Sequence, residues 1–152
     1  MNEKYGCAVG LRSPAHITLI PPFWMGEQKE QQFIKDIDAI SLSAHPFTMA
    51  INNFSAFKPR TIFVDVVVNE ELQSLKVAVD TFFSQSEYKV KIDSHPFHPH
   101  ITIATRDLHK KYFHEAWAMF ETKKMKGEWE AKGLSVLRHN RVNWEIIYTS
   151  WF

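Results

Sequence analysis

The chain has 152 residues, 45% of them hydrophobic and 23% charged, enough for one globular unit that buries its own core without a disulfide or metal staple. Its 18 Lys and Arg stand against 17 Asp and Glu, which argues against a broad grip on duplex DNA but leaves room for a small anionic ligand or an RNA end. No stretch approaches the roughly 18 apolar residues of a membrane span, the opening MNEKYGCAVGLRS lacks the apolar core of a signal peptide, and Cys7 is alone, so a reducing, cytoplasmic setting is expected.

Short elements alternate along the chain, with no linker and no low-complexity stretch. Lys4 to Leu11 reads as a strand, and His16 to Ile20 as another, stopped by Pro21 and Pro22, which cannot donate to a ladder. From Glu27 to Ile40, Phe33, Ile34, Ile37 and Ile40 fall at helical spacing. Phe47, Met49 and Ile51 alternate as in a strand, and the β-branched run TIFVDVVV, Thr61 to Val68, predicts a buried one. Asn69 is placed to cap a helix carrying Leu72, Leu75, Val79 and Phe82 inward. A short strand is expected at Tyr88 to Ile92 and another at His100 to Thr105. Asp107 is placed to cap a third helix with Phe113, Trp117 and Phe120 on its apolar face. Two strands, Glu128 to Arg138 and Val142 to Trp151, close the chain around a turn at His139-Asn140-Arg141.

The order strand, helix, strand, strand thus occurs twice, once after His16 and once after His100. The expected fold class is α+β: two pseudo-symmetric lobes of mainly antiparallel sheet with flanking helices and a central cleft. The whole chain, 1–152, is read as one bilobal domain, with units at about 4–68 and 88–152 joined by a helix at about 69–85.

Each unit opens on nearly the same words, HITL at His16 and HITI at His100. Random placement of this composition gives on the order of 0.03 copies of His-Ile-Thr, so two copies at matched places are a signal. Side chains two apart on a strand share a face. His16 and Thr18 then point together, as do His100 and Thr102, while the intervening isoleucines anchor the strands. Two imidazoles flanking one point suit acid–base chemistry, one taking a proton from a nucleophile and one giving a proton to a leaving oxygen. The threonine hydroxyls are suited to donate to phosphoryl oxygens that gain charge in the transition state. No metal or other cofactor is required in principle.

AHITLIPPF and FHPHITIATRDL resemble the two H-x-T-x motifs of the 2H phosphoesterase superfamily, in its 2′-5′ RNA ligase-like and cyclic phosphodiesterase branch. The resemblance implies a bilobal α+β fold with both motifs in a central cleft. It also implies metal-independent cleavage of a phosphodiester, often a 2′,3′-cyclic phosphate on RNA or a 2′-5′ link, with His16, His100, Thr18 and Thr102 as the working residues. The partner is then an RNA end or a small nucleotide; oligomeric state is left open.

Other residues admit two readings each. Arg60, Arg106 and Arg141 suit bidentate phosphate contact, with Lys58 nearby, or are solvated surface cations. Phe23, Trp24 and Phe97 flank the motifs and either stack on a base or pack in the core. Asp65, on an otherwise apolar strand, either orients a polar partner or faces solvent. His95, His98 and His100, with Asp93 close by, are a rival zinc set, but no carboxylate sits at a zinc-hydrolase spacing and His16 would be left unexplained. A third reading is a module that binds an RNA end or nucleotide without turning it over.

Overall fold

In the computed structural model, which describes residues 1–152, the three long helices form where the apolar spacing predicts them. After α1 (Asn2–Tyr5) and two 3-10 turns (Val9–Leu11 and Glu27–Lys29), α2 (Glu30–Ser41) buries Phe33, Ile37 and Ile40. In α3 (Glu70–Gln85) the Asn69 side-chain oxygen accepts from the Leu72 amide at 2.8 Å, the expected N-cap. The Asn69 amide also donates to the Thr48 carbonyl at 2.7 Å, so one side chain starts the helix and ties it to the neighbouring strand. Leu72, Leu75, Val79 and Phe83 form the buried stripe of α3, Phe83 taking the place foreseen for Phe82. α4 (Lys110–Glu121) buries Phe113 and Ala116.

The six strands are β1 (Phe47–Phe57), β2 (Thr61–Val67), β3 (His100–Ala104), β4 (Lys126–Ala131), β5 (Gly133–His139) and β6 (Trp144–Trp151). All pair antiparallel, four in the order β3-β2-β1-β4 and two as β5-β6, which makes the class α+β. β2 is central, with Ile62, Phe63, Val64 and Val66 all buried, as its apolar run predicts. One core lies between α2, α3 and the sheet, holding Phe33, Ile37, Met49, Val66, Leu75 and Phe83. A second gathers Cys7, Ile62, Ala104, Leu108, Phe113 and Ala116.

The doubled order of elements has a structural counterpart. Glu30 opens α2 and Lys110 opens α4; Phe47 opens β1 and Lys126 opens β4, a nearly constant offset of about 80 residues. β1 and β4 pair with each other from Phe47↔Ala131 to Asn52↔Lys126. Both then bend. β1 bends at Asn53, where φ is 65°, the left-handed region that Asn tolerates better than most side chains. The second bend splits the single strand expected over Glu128 to Arg138 into β4 and β5, in different sheets, at Lys132. There Gly133 lies so close to β6 that a Cβ would sit 2.4 Å from the Ser150 carbonyl oxygen.

Three predicted strands do not form ladders. Lys4 to Leu11 is instead α1 and a 3-10 turn, because the donors a strand would need go elsewhere. The Asp107 carboxylate accepts from the Ala8 and Val9 amides at 2.6 and 2.7 Å. Asp107 therefore caps the N-terminal turn; α4 starts at Lys110 behind His109, which makes no side-chain cap bond. Gly10 completes this docking: a Cβ there would lie 2.6 Å from the Ile103 carbonyl oxygen of β3. His16 to Ile20 keeps the alternation of a strand, with His16 and Thr18 exposed and Ile17 and Leu19 half-buried, but it lies between Pro14 and Pro21-Pro22 and joins no sheet. Tyr88 to Ile92 is likewise irregular and is held by side chains, the Tyr88 hydroxyl donating to Asp36. Burial, and after it that bond, pushes the Tyr88 phenol well above its ordinary value.

The Asp107 cap gives a stability prediction. Asp107→Ala removes two charge-assisted bonds and strands two amides, so it is expected to cost about 2–4 kcal/mol, read as a lower urea midpoint at unchanged m-value. A variant as stable as the parent would mean that the N-terminal turn holds without it.

Candidate functional site

β3 carries the second motif on the edge of the four-stranded sheet. Asp65 of β2 stands directly opposite His100, and Phe63 opposite Thr102. The face they share also holds His98 and Phe57. The ring of His100 lies 4.8 Å from that of Phe63 and 5.2 Å from that of Phe57, centroid to centroid. The same two phenylalanines flank His98 at 5.4 and 5.2 Å. Two imidazoles are thus wedged by two phenyl rings. His98 Nε2 donates to Asp65 Oδ1 at 2.8 Å, which answers why a carboxylate interrupts the apolar strand.

The hydrogen bond at Nδ1 of His100 decides what its ring can do. Nδ1 lies 2.8 Å from the His98 carbonyl oxygen, an atom that only accepts, so Nδ1 carries the hydrogen. Nε2 is then the free nitrogen, a lone pair when the ring is neutral and a donor when it is charged. The first motif repeats the arrangement on irregular backbone. His16 Nδ1 donates to the Pro14 carbonyl at 2.7 Å, again two residues upstream, and again leaves Nε2 free.

Both motifs are rooted in the same core. Ile17, Leu19 and Ile20 of the first and Ile101 of the second pack against the cluster built on α2 and α3. Ile103 faces the second cluster instead. The His-Thr pairs lie on the outer side, with His16 and Thr18 exposed and His100 and Thr102 half-buried.

The flanking candidates separate. Trp24 is 99% exposed, free on both faces of its indole. Phe23, a stacking candidate in the sequence, is turned inward: its ring makes edge contacts with Phe33 and Phe83 at 5.7 and 5.9 Å. Phe97 also joins the core, with the Lys76 ammonium 5.4 Å from its centroid. Both phenylalanines are half-buried and pack against the core that α3 completes. Arg60 is exposed on the β1–β2 turn that follows Phe57. Arg106 is exposed just beyond β3. Arg141 lies on the β5–β6 turn with φ at 79°, lining an open concavity of about 430 Å³ with Glu27, Glu30, Arg138, His139 and Asn140.

The three histidines weighed as zinc ligands do not converge. His95 bonds Asp93 at 2.6 Å, His98 bonds Asp65, and His100 bonds a carbonyl, and no three ligating side chains gather at one point. The His95 amide and ring hold the Asp93 carboxyl below its usual range.

The model of a family described as the 2′-5′ RNA ligase superfamily matches residues 3–143. A provisionally named phosphoesterase of Bacillus pumilus is 29% identical over 97 residues, 61% of this chain and 53% of that protein. A like-named protein of Oceanobacillus iheyensis is 31% identical over 105 residues, 66% and 56% of the two chains. The chain spans about half the length of these relatives. The crystal structure of TT0787 of Thermus thermophilus is similar in fold, with a TM-score of 0.62 at 16% identity, over 90% of this chain and 77% of that one. No helix is long and apolar enough to cross a membrane.

Proposed function

Since the chain belongs to the 2′-5′ RNA ligase superfamily, we propose that it is a metal-independent phosphodiesterase acting on a 2′,3′-cyclic phosphate or a 2′-5′ link of RNA or a nucleotide. The observation that carries this reading is the pair of matched hydrogen bonds, His16 Nδ1 to the Pro14 carbonyl and His100 Nδ1 to the His98 carbonyl. Each bond fixes one tautomer and leaves Nε2 free, the atom an acid or a base must offer.

In hydrolysis, water forms the new P–O bond while one neutral imidazole takes its proton at Nε2. The bond to the 2′ or 3′ oxygen breaks as the other imidazole, charged, gives that oxygen its Nε2 proton. The Thr18 and Thr102 hydroxyls donate to the two non-bridging oxygens, whose charge rises in the transition state. Reversal exchanges the roles of the histidines. Arg60, Arg106 and Arg141 are the cations offered to the anionic substrate, and the exposed Trp24 indole is a platform for a base. The chain acts as one bilobal unit, with segments at about 4–68 and 88–152 joined by the 69–85 helix, in the cytoplasm.

The test is a panel of nucleoside 2′,3′-cyclic phosphates and 2′-5′ dinucleotides, incubated with and without a chelator. Turnover of at least one class that persists in the chelator is expected. No turnover anywhere, with nucleoside 2′- or 3′-monophosphates still binding by calorimetry, would replace this reading with a non-catalytic RNA-end or nucleotide module. Activity lost to the chelator and restored by zinc would replace it with a zinc hydrolase.

A further inference from the structure

We infer that Asp65 and His98 form a positioning pair that sets the orientation of His100; the inference deepens the acid–base reading of that histidine and rests on it for its effect on turnover. The two motif histidines are held by the same bond but by different residues. For His16 the accepting carbonyl belongs to Pro14, whose φ the ring itself restricts. For His100 it belongs to His98, which has no ring of its own to fix φ and is restricted only as the residue before Pro99. Residue 98 is instead fixed from its side chain, through the 2.8 Å bond from Nε2 to Asp65 Oδ1.

The chain of contacts is continuous. Asp65 sits in β2 directly across from His100. It grips the His98 ring, His98 turns its carbonyl to the His100 Nδ1, and the His100 Nε2 is left free. Pro99, between the two histidines, is fully buried, and its carbonyl accepts from the Val66 amide at 3.3 Å. That bond holds residue 99 to β2, and Pro99 also restricts the backbone of the residue before it, so the His98 side-chain bond adds a second restraint on the same carbonyl. Phe57 and Phe63 close the remaining freedom, each touching both imidazoles.

Without His98 the Asp65 carboxylate loses the donor it bonds. As the residue paired with His100 across the strands, it is placed to compete with the carbonyl for the His100 ring and turn it to another tautomer or rotamer. Without Asp65 the His98 side chain is free, and the carbonyl keeps only the restraint that the buried Pro99 imposes. Either change misaligns one nitrogen while leaving the substrate contacts of the threonines, arginines and Trp24 in place. The signature is therefore a fall in kcat with KM little moved.

His98→Ala and Asp65→Ala are each expected to lower kcat on the best substrate of the panel by roughly 10–100-fold, the scale of a misplaced catalytic group. KM should change less than threefold, and the double variant should be no slower than the worse single one. His98→Gln, whose amide nitrogen reaches the place of Nε2 and donates to Asp65, should recover most of the rate. Ring ¹⁵N–¹H correlation of His100 gives a readout independent of activity: the Nδ1–H tautomer in the parent and in His98→Gln, a mixture in both alanine variants. If the parent turns over nothing on the panel, the spectra still decide the pairing. A His100 tautomer unchanged in Asp65→Ala and His98→Ala would overturn the inference. So would additive losses, or a loss in KM alone, which would make His98 a substrate contact.

Discussion

Replacing His16 or His100 by alanine is expected to cut kcat on the best cyclic-phosphate substrate by roughly 10²–10⁴-fold, the usual worth of one positioned proton carrier. The thermal midpoint should hardly move, because His16 is exposed, His100 is half-buried, and each ring makes its hydrogen bond to a backbone carbonyl. The double variant should be little slower than the worse single one, since the two rings act as a unit in one proton-transfer step. With one proton carrier required neutral and the other charged, the profile of kcat/KM is expected to be a bell whose two limbs belong to the pair and not to one histidine. Each single variant should lose a limb from its residual activity. Alanine variants with the parent's rate on material free of contaminating nuclease would end the assignment of these two residues.

The part of this site that is legible in the sequence is the part written twice. His-Ile-Thr at positions 16 and 100 carries its own control, because each copy makes the other improbable as an accident, and strand periodicity says which side chains travel together. The helices are legible for a similar reason: Phe33, Ile37 and Ile40 are spaced by the helix itself. What sequence spacing does not carry is contact between distant positions. Asp65 is anomalous on its strand, but its partner stands 33 positions away, at a histidine the sequence offers only as one of a zinc set. Asp107 has the spacing of a helix cap, yet a cap competes with any unpaired amide that tertiary structure brings near, and Ala8 and Val9 are nearer. The same competition explains the strand expected at the N-terminus. Phe23 shows the limit from the other side. Proximity to a motif suggests a ligand contact, but an aromatic ring is drawn first to apolar neighbours, and α2 and α3 supply them. The break between β4 and β5 has a marker in Gly133, whose meaning appears only once β6 lies against it.

Removing the two threonine hydroxyls should be the other large effect. Thr18→Val and Thr102→Val each keep the branched shape while deleting the donor, so each is expected to lower kcat by roughly 10²-fold, the low end for one lost donor to a developing negative charge. The physical reason lies in when the charge appears. In the ground state a diester spreads one negative charge over two non-bridging oxygens, and water solvates it well. As the fifth bond forms at phosphorus, those oxygens gain charge while the substrate is already fixed, so a donor in place costs no reorganisation. KM should accordingly move little. Thr102 offers the cleaner experiment of the two, since it is held in β3 opposite the buried Phe63, whereas Thr18 lies on backbone that pairs with no strand. Serine at either position retains the hydroxyl without the methyl. Thr102→Ser should therefore keep a rate within about threefold of the parent, and Thr18→Ser should lose more, because the β-branched methyl also restricts χ1 where the backbone is less constrained. Valine variants that matched the serine variants in kcat would show that the threonines serve the motif strands by shape alone, and the stabilisation of the non-bridging oxygens would then have to come from the arginines.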